Sequence, residues 1–177
     1  KAIKEHSVSY QENKYPLVTV TDEIRNLVNL KQGENESLLD YQGRFKVAKD
    51  VLQDQLGGYL YLPAYVKEKV KDLKAKNPST TFDESFDSTD MKQLRQEIND
   101  ELLGYIFFAG ADGSKYGSLQ HNVSEQYALL HNNYPKSLVN AVNILSQHKF
   151  DEKYHQRVRK AAEQKRAQDR ERPVSYT

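Results

Sequence analysis

Apolar residues recur at intervals of three and four along most of this chain. That spacing stacks them on one face of a helix, whereas a strand needs alternation. Leu17, Val20, Ile24, Leu27 and Val28 fall on one face behind Pro16. A proline suits a first helical position because its missing N–H has no partner there anyway. The β-branched run LVTV also fits a short strand, but the spacing continues to Leu30 and favours helix. Leu38, Tyr41, Phe45, Ala48, Leu52 and Leu56 make the clearest stripe. Ser37 and Asp40 resemble a capping box before it, and Gly57-Gly58 ends it. Pro63 opens a helix with Val66, Val70 and Leu73 inward, stopping near Asn77-Pro78.

The segment NPSTTFDESFDSTD is acidic and turn-rich, which predicts a mobile surface loop. Asp90 and Gln93 then form a capping-box-like start to a helix lined by Met91, Leu94, Ile98, Leu102, Tyr105 and Ala109. Its end, LLGYIFFAG, is apolar nearly all round and predicts the most buried part of the fold. GADGSKYG reads as a glycine-rich turn, and Tyr116, Leu119, Val123, Tyr127 and Leu130 as a further helix. Asn132-Asn133-Tyr134-Pro135 breaks it, and Ser137 caps a short helix holding Leu138, Ala141, Val142 and Leu145. The expectation is an all-α bundle over residues 16–150, about one domain's worth of chain.

Composition excludes several chemistries. There is no Cys among the 177 residues, hence no disulfide, Cys-bound zinc, iron–sulfur cluster or thiol nucleophile. Trp is also absent, and twelve Tyr with six Phe supply the bulk a core needs. No apolar run approaches the roughly 20 residues that span a bilayer, so no membrane partner is expected. The start, KAIKEHSVSY, has neither an apolar signal core nor an initiator Met and reads as an internal cut. The net charge of +1 removes the simplest argument for nucleic-acid binding by the domain as a whole. Its distribution is uneven, however. Residues 151–177 hold Lys153, Arg157, Arg159, Lys160, Lys165, Arg166, Arg170 and Arg172 against five acids, a local charge of +3. With only Tyr154, Val158 and three alanines to pack before Pro173, this tail predicts a solvated, marginal helix that frays by that proline.

Enzyme signals are weak. His6, His121, His131, His148 and His155 form no HExxH and flank no nucleophile, so each reads as a surface histidine. GADGSKYG lacks the GK[ST] ending that cradles phosphates, and DESFDSTD lacks the glycine and distal Glu of a calcium loop. Asn35-Glu36-Ser37 and Asn122-Val123-Ser124 fit the glycosylation pattern but sit at or in helices. The expectation is no catalysis, no cofactor, no metal and no small-molecule substrate.

One stretch stands apart: Gln32, Gly33, Glu36, Tyr41, Arg44 and Phe45 spell Q-G-x-x-E-x-x-x-x-Y-x-x-R-F. A Gln, a Glu and an Arg around one helix start can satisfy one another and the exposed N–H groups there. Arg44 lies eight residues beyond Glu36 and reaches back only if the turn folds over the helix. Spacing alone equally allows a capped amphipathic helix with a surface Arg. The motif resembles the major homology region of retroviral and retrotransposon Gag capsid proteins, which opens the C-terminal capsid domain. KAIKEHSVSYQENKYP, RFKVAKDVLQDQLGG and KYGSLQHNVSEQYALLHNNYPKSLVNAVNILSQHKFD are similar to Gag polyproteins of copia-type long-terminal-repeat retrotransposons of the algal type.

The resemblance implies a capsid C-terminal-domain-like bundle with an extended basic C-terminal helix. It implies a subunit that associates with itself into a cytoplasmic virus-like particle and helps package RNA, weakly attracted by the tail. Residues 1–15 would be a linker or the end of a preceding capsid half. The tail would lead toward a nucleocapsid segment, which in the family commonly carries a Cys-His zinc knuckle; truncation would then account for the missing cysteines. The alternative is a host-domesticated Gag-derived interaction or RNA-carrying module. The helix at 63–76 and the acidic loop behave like an insertion relative to the compact retroviral domain, so no dimer residues carry over.

Overall fold

The structure, a computed structural model, describes residues 15–79 and 81–171, with side chains through residue 168. The expectations for residues 1–14, the side chain of Arg170, Arg172, the fraying at Pro173 and His6 lie outside the described residues. Among the described residues seven helices follow one another: α1 (Pro16–Asn29), α2 (Leu38–Leu56), α3 (Pro63–Lys76), α4 (Thr89–Gly110), α5 (Gly113–Ala128), α6 (Leu138–Gln147) and α7 (Glu152–Glu171). Among the described residues there is no strand, so the fold is all-α.

Helix α1 packs on α2, α4 on α6, and α5 on α7, while α4 also touches α1, α2 and α3. The main core joins Leu27, Tyr41, Phe45, Ala48 and Leu52 to Leu103, Phe107, Phe108, Tyr116, Val123, Ala141 and Leu145. A smaller core holds Val66 and Val70 of α3 against Met91, Leu94 and Ile98 of α4. Gly104 lets α4 and α6 meet closely: a Cβ there would lie 2.7 Å from the Ser137 carbonyl oxygen.

Several local signals read correctly. Ser37 and Ser137 cap α2 and α6 by accepting the N–H groups of Asp40 and Asn140. Gly57 ends α2 in the left-handed conformation at φ 66°, where glycine avoids the Cβ clash.

Other expectations need correction. Helix α4 is capped by Ser88, which accepts the Met91 N–H. Asp90 instead accepts the Asp83 N–H across the loop. The α4 stripe does not run through Leu102, Tyr105 and Ala109. After Ile98 and Asn99 the buried set becomes Leu103, Gly104, Phe107, Phe108 and Gly110. The buried face thus turns to roughly the opposite side, because the first half of α4 serves the small core and the second half the main one. GADGSKYG is not one turn: only Ala111 and Asp112 separate the helices, and Asp112 caps α5 through the Ser114 N–H. Leu130 lies beyond α5, 94% exposed at φ 68°, and Tyr127 is also exposed. Leu17 and Val28 of α1 face solvent too.

Candidate functional site

The chain between α1 and α2 folds back over the start of α2, and the side chains there fasten it. Gln32 is buried. Its backbone N–H donates to the Gly110 carbonyl at 2.9 Å. Its side-chain oxygen accepts the Asp112 N–H at 3.0 Å, and its amide nitrogen donates to the Glu36 carbonyl at 3.1 Å. One amide therefore ties the turn to the α4–α5 corner eighty residues downstream.

Glu36 turns its carboxylate back into the same turn. It accepts the Gly33 N–H at 2.8 Å and two guanidinium bonds from Arg44, Nε at 2.6 Å and Nη2 at 2.7 Å. Arg44 Nη2 also donates to the Lys31 carbonyl at 2.8 Å. The guanidinium holds the Glu36 carboxyl below the usual range; burial opposes this and the Gly33 N–H assists it. Gly33 sits close against this arrangement, since a Cβ there would meet the Glu36 Cβ at 3.4 Å.

Tyr41 and Phe45 point inward and are fully buried. The Tyr41 ring stacks on Phe107 at 4.5 Å, and Phe45 meets Phe107 edge-on at 5.2 Å. The Tyr41 hydroxyl lies between two acceptors, the Phe107 carbonyl at 3.1 Å and the Leu30 carbonyl at 3.3 Å. Burial pushes its pKa up, so it remains a neutral donor. All six motif residues therefore share one neighbourhood, with the polar ones fixing the turn and the aromatic ones anchoring it in the core.

Sequence reasoning missed three further members. Gly110 passes beneath this junction, where a methyl group would overlap the Tyr41 hydroxyl and lie 2.7 Å from the Leu30 carbonyl oxygen. Lys115 is only 5% exposed, donates to the Glu36 carbonyl at 2.9 Å and lies near the rings of Phe150 and Tyr154. Burial lowers the pKa of its ammonium. Asp112 carries the α5 cap and accepts Arg157 Nη2 at 3.0 Å. Burial pushes its carboxyl up, but the Ser114 N–H and hydroxyl and Arg157 outweigh that and leave it below the ordinary value. Only Asp112 had a readable signal, as an N-cap residue ahead of Gly113-Ser114.

The tail cations divide. Lys153, Arg159, Lys160, Lys165 and Arg166 are exposed, and Arg159 approaches Glu152 only at 4.0 Å. Arg157 is different: it bonds Asp112 and, at 2.8 Å, the Glu34 carbonyl. It fastens α7 to the motif turn and is not a free solvated cation. The tail is thus docked over its first turns, where Tyr154 meets Phe150 at 4.8 Å, and exposed beyond them.

His148 also departs from expectation. It is half-buried, with Nε2 3.1 Å from Asp151 and 3.4 Å from the Ser118 hydroxyl. A histidine does therefore sit beside a hydroxyl and a carboxylate. A proton relay needs one ring nitrogen on the hydroxyl and the other on the acid. Here the same nitrogen faces both, and Ser118 donates its hydroxyl to Asp151. Asp151 also accepts the Ser118 N–H at 2.8 Å, so the trio joins α5 to the start of α7 as a fastening. Among the described residues no group of three or more His, Asp or Glu side chains could hold a metal ion, and no helix is long and apolar enough to cross a membrane.

No family model, curated protein or solved structure matches the chain.

Proposed function

We propose that this chain is a Gag-type capsid subunit of a copia-type retrotransposon, a bundle like the C-terminal capsid domain that associates with itself into a particle shell. The observation that carries the reading is the convergence of the Q-G-x-x-E-x-x-x-x-Y-x-x-R-F residues. Arg44, Glu36, Gly33 and Gln32 close a turn over α2 while Tyr41 and Phe45 anchor it. That arrangement supports a scaffold role for the motif, since its polar groups bond one another and the backbone. A shell then depends on many weak contacts between copies, which add through effective concentration.

The exposed part of α7 supplies the RNA attraction in this reading, through Lys153, Arg159, Lys160, Lys165 and Arg166. Contact of such cations with phosphate releases counterions and weakens steeply with salt. Particles seen by electron microscopy of the concentrated chain, with matching light-scattering mass, are the expected result. A strictly monomeric, particle-free chain over a range of salt and pH would overturn the shell proposal. For the tail, a chain ending at Val158, which keeps the docking residues Tyr154 and Arg157, should lose its affinity for duplex RNA.

A further inference from the structure

Beyond this reading, and at a different place in the molecule, we infer that the open groove between the end of α2 and the first turns of α4 binds single-stranded nucleic acid. The groove measures about 790 Å³ and is lined by the residues following α2, by Phe86 and by one face of α4. Gly57 and Gly58 leave its floor bare, with nothing within 4 Å of where a Cβ would stand.

Three aromatic rings stand exposed here: Tyr59 at 47%, Tyr61 at 49% and Phe86 at 60%. Burying them would have favoured the fold, yet they line an opening. Two of them, Phe86 and Tyr61, are also held in place. The Arg95 guanidinium lies 4.0 Å from the centre of the Phe86 ring and donates to the Phe86 carbonyl at 2.8 Å. The Tyr61 ring meets Phe86 at 6.0 Å, edge to face.

The charge around these rings selects the ligand. Lys92 and Arg95 line the groove together with the amides of Gln93 and Gln96, and no carboxylate does. Three acids of the neighbouring loop and the start of α4 are engaged within it or with α3, while Asp87, next to Phe86, is exposed and stands outside the groove lining. Asp83 accepts the Ser85 N–H, Glu84 pairs with Lys74, and Asp90 accepts the Asp83 N–H. Glu97, one turn along α4, accepts the Gln93 amide. Flat π-faces, two cations and no lining carboxylate suit a ligand that is flat, anionic and repeating. Single-stranded nucleic acid has that chemistry: bases stack on aromatic rings and phosphates meet the cations. A duplex keeps its bases stacked inside and offers the groove only backbone.

The test uses the full chain and fluorescein-labelled ten-nucleotide oligouridine, with oligothymidine and a duplex RNA as comparison arms, followed by anisotropy at low salt. The parent should bind both single strands and prefer them to the duplex. The double substitution Tyr59→Ala and Tyr61→Ala should weaken single-strand binding about tenfold or more and leave duplex binding unchanged. Lys92→Glu should weaken single-strand binding and flatten its salt dependence. Reversing exposed tail charges, with Lys160→Glu and Lys165→Glu, should lower binding to all three ligands but keep the single-strand preference. Loss of the groove proposal is thereby separable from loss of the tail proposal.

Equal affinity for single and double strands would overturn the inference, as would unchanged binding by the folded tyrosine pair. Should that pair fail to fold, 4-thiouridine cross-linking of the parent decides. Cross-links at Tyr59, Tyr61 or Phe86 are expected, and cross-links confined to residues 151–177 would overturn it.

Discussion

Arg44→Ala removes three hydrogen bonds together: two to the Glu36 carboxylate at 2.6 and 2.7 Å and one to the Lys31 carbonyl at 2.8 Å. Two limits bracket the cost. Exposed ion pairs are worth about 0–1 kcal/mol, whereas breaking a buried pair costs about 3–5 kcal/mol by leaving a charge without a partner. This pair lies between them. The Arg44 side chain is 50% exposed, so water replaces much of what it loses, but the Glu36 side chain is only 16% exposed. Glu36 also keeps the Gly33 N–H, so its charge is not stranded. The loss should be about 1–2 kcal/mol, nearer the exposed limit. For a chain of this length that lowers the melting temperature by about 2–8 °C.

Arg44→Lys should recover only part of this, because an ammonium cannot make the two-pronged contact and reach the carbonyl together. Thermal melts followed by far-ultraviolet circular dichroism provide the measurement. Glu36→Gln and the double variant complete a cycle that isolates the pair. The pH dependence supplies an independent sign. Glu36 has a folded pKa below its unfolded value. Its contribution is therefore complete above the unfolded value near 4.5 and fades as pH falls through the folded one. The Arg44→Ala deficit should shrink correspondingly in acid. A variant that melts together with the parent at neutral pH would refute the claim that this network holds the turn.

Gly110→Ala should be far more damaging, by about 3 kcal/mol, because its methyl group would overlap the Tyr41 hydroxyl and crowd the Leu30 carbonyl; urea titration would read this as a lower midpoint. Gly43→Ala, on the same scale, should stabilise by about 0.5–1 kcal/mol, since nothing lies within 4 Å of its Cβ position in the middle of α2. Arg157→Ala should release the first turns of α7, seen as faster amide exchange over 152–158 and a loss of about 1 kcal/mol. Asp112 has a folded pKa below its ordinary value of 3.8, so its stabilisation is complete above that value and is lost as pH falls through the lower folded one. Acid titration of Arg157→Ala should show a smaller loss over that window than the parent.

How much of this was legible in the sequence depended on whether the deciding contact was local. Caps formed by Ser37 and Ser137 and the glycine stop at 57 depend on residues within a turn of one another, and each could be read from spacing. The α4 stripe could not, because two cores claim opposite sides of one helix, and periodicity assumes a single buried face. Arg157 looked like one more tail cation because its partners, Asp112 and the Glu34 carbonyl, lie 45 and 123 residues away.

The same distinction explains the motif. Gly33, Glu36 and Arg44 lie within twelve residues, so their pairing was arguable from type and spacing. That Gln32 reaches Asp112 and Lys115 reaches the Glu36 carbonyl depends on how α4 and α5 turn the corner at Gly110. The turn is therefore closed twice, locally by the Arg44–Glu36 pair and at long range by the corner. Loss of Arg44 should loosen a turn that the corner still holds, whereas a methyl group at Gly110 forces the corner away from Tyr41 and the turn together. Tighter dependence on Gly110 than on Arg44 is the signature of this double closure; the reverse order would mean that the local pair alone sets the turn.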